Sequence, residues 1–254
     1  MSLHELTIVH SPTVEEQVAR WATNAPSRLE ELASQDDSAY RSLTNLIASR
    51  IPKSAGTPQL DILDVGCGLG FLSQTLASLG HNVTAIDPCA KSIEIARSSA
   101  NSGRTPNFMQ LGLGEFVTAY PLKRFDVVVT NMTLHCVDKI PSFMANVAET
   151  LRSHAICIVT IPNPSTYLQS RADLDLKAIN LAIPQVLEIP FRIHGRDPHP
   201  APVFYFHRPL RFYDKACAAN GLQIDEYTVP RQVGAGRPED IALLVLKPTT
   251  QALT

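Results

Sequence analysis

The sequence predicts an α/β fold built on a mostly parallel sheet, and two observations predict it. Between residues 59 and 161, short apolar runs alternate with stretches of helical periodicity. Strands separated by helices pair in parallel through right-handed crossovers. A glycine-rich turn, Gly66-Cys67-Gly68-Leu69-Gly70, directly follows the first of these runs and opens a helix. The runs are apolar throughout instead of alternating, which suits strands covered by helices on both faces.

The elements follow in order. Ser11-Pro12 is a helix start, because proline at the first helical position sacrifices no hydrogen bond. Val14, Val18 and Trp21 then share one face, and Leu43, Leu46, Ile47 and Ile51 mark a second amphipathic helix. Five strands are expected at 60–65, 82–86, 107–111, 126–130 and 155–161, with helices at 71–79, 92–100 and 143–151. Residues 162–209 hold 8 of the 19 prolines and are not expected to form a regular sheet layer. That stretch reads as a substrate-covering insertion with one helix around 172–183 and a short hairpin ending at 203–206. A helix at 210–220 and strands at 222–229 and 241–246 then complete seven strands, the last two joined as a hairpin. The expected organisation is one domain over 1–254: a helical cap (1–58), a cofactor-binding core (59–161), the insertion (162–209) and the end of the sheet (210–247).

Composition narrows the function. Hydrophobic residues make up 44% of the 254 and charged residues 18%, the profile of a packed core. A net charge of -2 without any Lys/Arg run gives no support to nucleic acid as a partner. No apolar run is long enough to span a bilayer, and residues 1–10 do not read as a secretory signal. The five cysteines are odd in number and form no CxxC pair, so neither a disulfide framework nor a zinc site is expected and a cytoplasmic location is. His194 and His199 flank Asp197 but lack a paired ligand cluster, so no metal is expected.

The glycine turn carries the chemistry. Glycines let the backbone turn sharply and let a ligand approach it. The spacing is GxGxG, with Phe71 where a dinucleotide fingerprint would place a third glycine. Asp64 stands two residues before Gly66, where a carboxylate would repel a pyrophosphate but suits an ammonium or sulfonium. Asp87 ends the second strand, the place for a carboxylate accepting bonds from ribose hydroxyls, and Pro88 shapes the turn beside it.

The run ILDVGCGLGFLSQTLASLGHNVTAIDP, with FDVVVTNMTLHCV further on, resembles the motifs of class I S-adenosylmethionine-dependent methyltransferases. The resemblance implies a Rossmann-like, mostly parallel seven-stranded sheet with helices on both faces, N-terminal helices that close over the cofactor, and a cap inserted between strands 5 and 6. It implies that Gly66, Cys67, Gly68 and Gly70 wrap the methionine half of S-adenosylmethionine, that Asp64 helps hold its amino group, and that Asp87 holds the ribose. The backbone near Asn131 and Met132 would face the amine and the reactive methyl. At the family's acidic adenine-contacting position stands Gly112, so adenine contact would rest on the backbone of Gly112 and Leu113. The implied product is S-adenosylhomocysteine.

Two histidines are candidate bases, since histidine titrates near neutral pH. His135 follows the fourth strand at the carboxyl edge, where open α/β sheets bind ligands. The competing reading is that it only hydrogen-bonds the loop. His207, in VFYFHRPLRFY, ends the insertion; alternatively His207 and Arg208 cap the helix begun by Pro209. Phe204, Tyr205 and Phe206 would wall an apolar pocket, with Tyr205 on the face opposite the other two. Trp21 and Tyr40 are expected in the core. The expected activity is methyl transfer to an oxygen or nitrogen of a small, partly apolar metabolite. An NAD(P)-dependent oxidoreductase and a non-catalytic S-adenosylmethionine-binding module are the alternatives.

Overall fold

The computed structural model describes residues 4–33, 38–52, 59–99, 103–192, 200–230 and 240–249. The expectations for His194, Asp197 and His199 lie outside these residues, as does the side chain of Tyr40. In chain order, the N-terminal elements are β1 (His4–Glu5), β2 (Thr7–Ile8), α1 (Val14–Ala33) and α2 (Ser38–Arg50). The core runs through β3 (Asp61–Val65), α3 (Phe71–Ser78), β4 (Asn82–Ile86), α4 (Ala90–Ser98) and β5 (Asn107–Met109). It continues with α5 (Leu113–Ala119), β6 (Phe125–Asn131), α6 (Ile140–Thr150) and β7 (Leu151–Pro162). The cap holds α7 (Tyr167–Ser170), β8 (Leu174–Asp175), β9 (Gln185–Ile189) and β10 (Val203–His207), and α8 (Leu210–Ala218), β11 (Leu222–Thr228) and β12 (Ile241–Pro248) follow.

The main sheet has seven strands in the order β11-β12-β7-β6-β3-β4-β5. β3 to β7 are parallel, and β12 runs antiparallel to both its neighbours. Neighbouring residues of one strand face opposite layers. Leu63 and Val128 therefore pack with Phe116, Met144 and Tyr213 on one side of the sheet, while Ile62, Val127 and Val129 pack with Ile47, Leu72 and Ile93 on the other. Burial on both faces is why the strands read as unbroken apolar runs. The chain winds outward through β4 and β5 and then crosses back to place β6 on the other side of β3. That reversal opens a crevice at the carboxyl ends of β3 and β6.

The cap corrects two expectations. Residues 172–183 do not form a helix: β8 and a series of turns occupy them. The Asp175 carboxylate accepts from Lys177 N–H and the Asn180 side chain from Ala182 N–H, local bonds that compete with a helix. The proline-rich stretch does contribute a sheet layer, a three-stranded antiparallel sheet ordered β10-β9-β2. The prolines do not disrupt it because they bracket the strands: Pro184 and Pro190 flank β9, and Pro202 and Pro209 flank β10. β2 reaches this sheet from the N-terminus, pairing Ile8 with Leu187, a long-range pairing that local pattern does not reveal. α5 was also not expected, because two glycines obscure its pattern; it begins where Gly112 N–H donates to the Glu115 carboxylate at 2.7 Å.

Candidate active site

The glycine turn is held by the neighbouring strand. Gly66 and Cys67 N–H groups both donate to the Ile86 carbonyl, at 2.8 and 3.0 Å. Gly66, Gly68 and Gly70 have φ of 71°, 53° and 80°. The first and third lack room for any side chain. A Cβ at Gly66 would lie 2.5 Å from the Thr133 side chain, and one at Gly70 would lie 2.7 Å from the Phe108 ring. At Gly68 a Cβ would meet nothing within 4 Å, so the middle of the turn borders open space. Glycine there answers only to the left-handed backbone, whereas Gly66 and Gly70 also answer to crowding by Thr133 and Phe108.

Two carboxylates frame this opening. Asp64 is buried; Ser73 Oγ donates to its Oδ2 at 2.5 Å, while Oδ1 is buried with no partner. Burial, opposed by the Ser73 bond and reinforced by the charge of Asp87, pushes its carboxyl up to about 7. Asp87 accepts from Gly68 N–H at 2.9 Å and from Cys89 N–H at 2.8 Å. Burial raises its carboxyl above the usual range and those two backbone bonds oppose the rise. A carboxylate has about four lone-pair positions, so Asp87 keeps acceptor capacity for a further pair of donors. An ammonium-bearing ligand with a vicinal diol meets both needs: a donor for the orphaned Oδ1 and hydroxyls for Asp87. The Cys67 thiol, raised by burial first and by both carboxylates next, is not a nucleophile. Pro88 is exposed at the rim.

The loop after β6 forms the opposing wall. Met132 has φ 53°, the one positive value at a described residue other than glycine. Its N–H is fixed by Thr160, through the carbonyl and Oγ1, both at 3.0 Å. Thr160 Oγ1 in turn donates to Asn131 Oδ1 at 2.6 Å. Thr133 Oγ1 lies 3.3 Å from the Val65 carbonyl and 3.1 Å from that of Asn131, tying this loop to the glycine turn. Ser73, Thr133 and Thr160 escaped the sequence reading because a lone hydroxyl has no pattern to find. On the adenine side, the Gly112 N–H donates to the Glu115 carboxylate, while its carbonyl accepts from Phe116 N–H and keeps a second lone pair. Leu113 is the first residue of α5, where a helix leaves N–H groups without intrahelical partners.

The two histidines lie on either side of Tyr205. His135, in the 3-10 turn Leu134–Cys136, is buried, and burial with the nearby Arg208 charge pushes it down to about 3. Its ring centroid is 5.7 Å from that of Tyr205, which is 5.5 Å from Tyr167 and 6.4 Å from His207. His207 Nε2 lies 2.9 Å from the Leu181 carbonyl. A carbonyl only accepts, so Nε2 carries the proton there; Nδ1 is enclosed without a partner. His207 Nε2 therefore ties β10 to the turn at Leu181. Arg208 does not cap α8. It donates to the carbonyls of Val137 and Asp138 at 2.6 and 2.7 Å, and more weakly to that of Leu134 at 3.4 Å. Tyr205 faces the cap core, while Phe204 and Phe206 lie under the guanidinium groups of Arg20 and Arg208. Trp21 is partly buried against Phe191. Among the described residues there is no metal-binding cluster and no helix long and apolar enough to cross a membrane.

At the switch point of the parallel sheet, the glycine turn and the two carboxylates border one opening. Residues 63–159 match the family model described as "Methyltransferase domain". The Ubiquinone biosynthesis O-methyltransferase of Rickettsia canadensis is 34% identical over 106 residues, which are 41% of this chain and 44% of that protein. Its counterpart from Rickettsia conorii is 33% identical over 106 residues, 41% of this chain and 36% of that one. The chain thus spans less than half the length of the curated relatives it matches. Among solved structures, an S-adenosylmethionine-dependent methyltransferase from Clostridium acetobutylicum aligns with TM-score 0.61 at 12% identity, over 87% of this chain and 95% of that one. The glycopeptide N-methyltransferase MtfA, solved with S-adenosylmethionine, aligns with TM-score 0.61 at 18% identity, over 85% and 96%. Residues 63–159 thus match a methyltransferase domain, and the chain shares the fold of S-adenosylmethionine-dependent methyltransferases.

Proposed function

We propose that this chain transfers the methyl group of S-adenosylmethionine to a hydroxyl of a small, partly apolar metabolite. The observation that carries the reading is the open face of Gly68 beside the orphaned Oδ1 of Asp64 and the under-used carboxylate of Asp87. Asp64 would hold the amino group, Asp87 the ribose hydroxyls and the Leu113 N–H the adenine edge. The bound cofactor supplies an electrophilic methyl on a sulfonium sulfur. A buried carboxylate at Asp64 disfavours the pyrophosphate of a nicotinamide dinucleotide.

The chain's own residues align and enclose. α1 covers the glycine turn, with Ala25, Leu29 and Leu32 packed against Leu69 and Ile95, and so keeps water away from the reacting atoms. Burial, with the nearby Arg208 charge, pushes His135 well down and favours its neutral, weakly basic ring. Such a ring takes up a proton poorly, so rate is supplied by alignment, and the acceptor that suits the site is an acidic hydroxyl such as a phenol. Oxygen as the accepting atom is supported by the likeness over 106 residues to O-methyltransferases, and the apolar surroundings by Tyr167 and Tyr205. The five free cysteines support a cytoplasmic location.

Calorimetry tests the reading. S-adenosylmethionine and S-adenosylhomocysteine are expected to bind and NAD not to bind. Asp87→Ala should weaken binding by about 1.5–3 kcal/mol, the range for bonds to a charged group. Unchanged affinity in that variant, with the fold intact by circular dichroism, overturns the assignment.

A further inference from the structure

The loop from Leu134 to Asp138 carries His135 at the carboxyl end of β6, yet much of what holds it comes from outside the core. Arg208, at the end of β10, gives Nη2 to the Val137 and Asp138 carbonyls at 2.6 and 2.7 Å and lies 3.4 Å from that of Leu134 through Nη1. Gln17, on α1, donates Nε2 to the Cys136 carbonyl at 3.0 Å and reaches the Phe204 carbonyl of β10 at 3.4 Å. Four of the loop's carbonyls, those of Leu134, Cys136, Val137 and Asp138, are therefore met by two buried side chains, Arg208 after β10 and Gln17 of α1. The Arg208 guanidinium is packed against the rings of Phe206 and Phe212, with centroids 4.8 and 5.5 Å away. A buried cation persists only while its donors are satisfied. The loop thus needs Arg208 in place and Arg208 needs the loop in place.

One of these two elements, α1, also covers the proposed cofactor site. α1 lies on Leu69 of the glycine turn, and it is latched to the cap by Arg20 and Asn24. Resting on the methyl-transfer reading above, we propose that Gln17 and Arg208 are positioning residues that assemble loop 134–138, and with it the acceptor-side wall bearing His135, only when α1 and the cap are seated. Closure over the ligands and completion of the wall are then one event. Ligand-bound protein without the clamp would hold the cofactor but present the acceptor to a mobile wall.

Amide hydrogen exchange with S-adenosylhomocysteine bound tests this. The reporters are the N–H groups of Cys136 and Val137, which donate to Thr133 and Leu134 carbonyls. In Arg208→Gln and Gln17→Leu their exchange should quicken roughly tenfold or more, from loss of bonds made by buried donors. Amides of β3 and β4 should be unchanged, and S-adenosylhomocysteine should bind as before. Arg208→Lys separates geometry from charge. Lysine keeps a positive charge beside His135, so the His135 ring followed by NMR should still resist protonation. It cannot span the carbonyls as the guanidinium fork does, so the loop amides should still exchange quickly. With an acceptor in hand, kcat should fall more than KM rises. Unchanged exchange at Cys136 and Val137 in the folded variants, or an increase spread equally over β3 and β4, overturns the proposal. Failure of the unaltered protein to bind S-adenosylhomocysteine overturns the methyltransferase reading instead, and the two failures are distinct.

Discussion

Three glycines within five residues make different demands, and the demands are separable by mutation. At Gly70 an added Cβ would press on the Phe108 ring at 2.7 Å and on the Ala96 Cβ at 2.9 Å, at φ 80°. Gly70→Ala should therefore destabilise the fold by about 2–4 kcal/mol, overpacking and left-handed backbone together. Gly68→Val adds only the backbone cost of about 1–2 kcal/mol. Its branched side chain would fill the open face and abolish S-adenosylhomocysteine binding. Urea denaturation and calorimetry on both variants check the pair; a Gly68→Val protein that binds normally places the cofactor elsewhere. Asp64 gives the pH signature. Its folded pKa of about 7 lies above the ordinary 3.8, so the ligand-free fold binds the proton more tightly than the unfolded chain. Its contribution is present below pH 4 and is lost as pH rises to 7, on the order of 4 kcal/mol in all. Asp64→Asn should flatten that slope in denaturation curves. An ammonium placed on Oδ1 favours the ionised form, so S-adenosylhomocysteine binding at pH 6 should release about one proton. Calorimetry in two buffers of different ionisation enthalpy measures it, and no release would remove Asp64 from the amine site.

Among the elements, α1 is the latch. Gln17, Arg20 and Asn24 recur at helical spacing on one face and all reach the cap: Gln17 to Phe204, Arg20 to Glu188, and Asn24 to Ala201. Asn24 is fully buried and satisfies both backbone groups of Ala201, accepting its N–H and donating to its carbonyl at 2.9 Å each. Asn24→Leu leaves both groups unpaired and should cost about 2–4 kcal/mol. Because the seven-stranded sheet is not touched, the loss should appear as faster proteolysis in the cap, with cofactor affinity largely kept. Loss of the sheet's own stability to the same degree would contradict a separate latch. This role was hidden in the sequence: the apolar positions announce an amphipathic helix, whereas the polar face gives no sign that it is buried. The cap was misread for a related reason. Its strands are short and pair with residues far along the chain, so their β character is settled by partners such as Ile8 and not by local propensity.

For the whole molecule, the two edges of the sheet do different work. At the amino edge Arg152 bridges Asp61 and Asp126 at 2.7 and 2.5 Å on an exposed surface. Arg152→Ala should cost below about 1 kcal/mol, as exposed ion pairs do, and leave cofactor binding unchanged. An effect on binding would contradict the confinement of function to the carboxyl edge. The amino-acid sequence by itself determined the seven core strands, the glycine turn and the two carboxylates, because each rests on local regularities: strands buried on both faces are apolar throughout, and a ligand-cradling turn needs glycine at set positions. Tertiary structure alone decided which of those glycines faces open space, that the Gly112 N–H is engaged by Glu115, that His207 is pinned by Leu181, and that Arg208 grips the loop of His135. The reason is physical. Whether a polar group is free to act depends on the groups that surround it, and here those groups come from α1, the cap and the core, elements far apart in the chain.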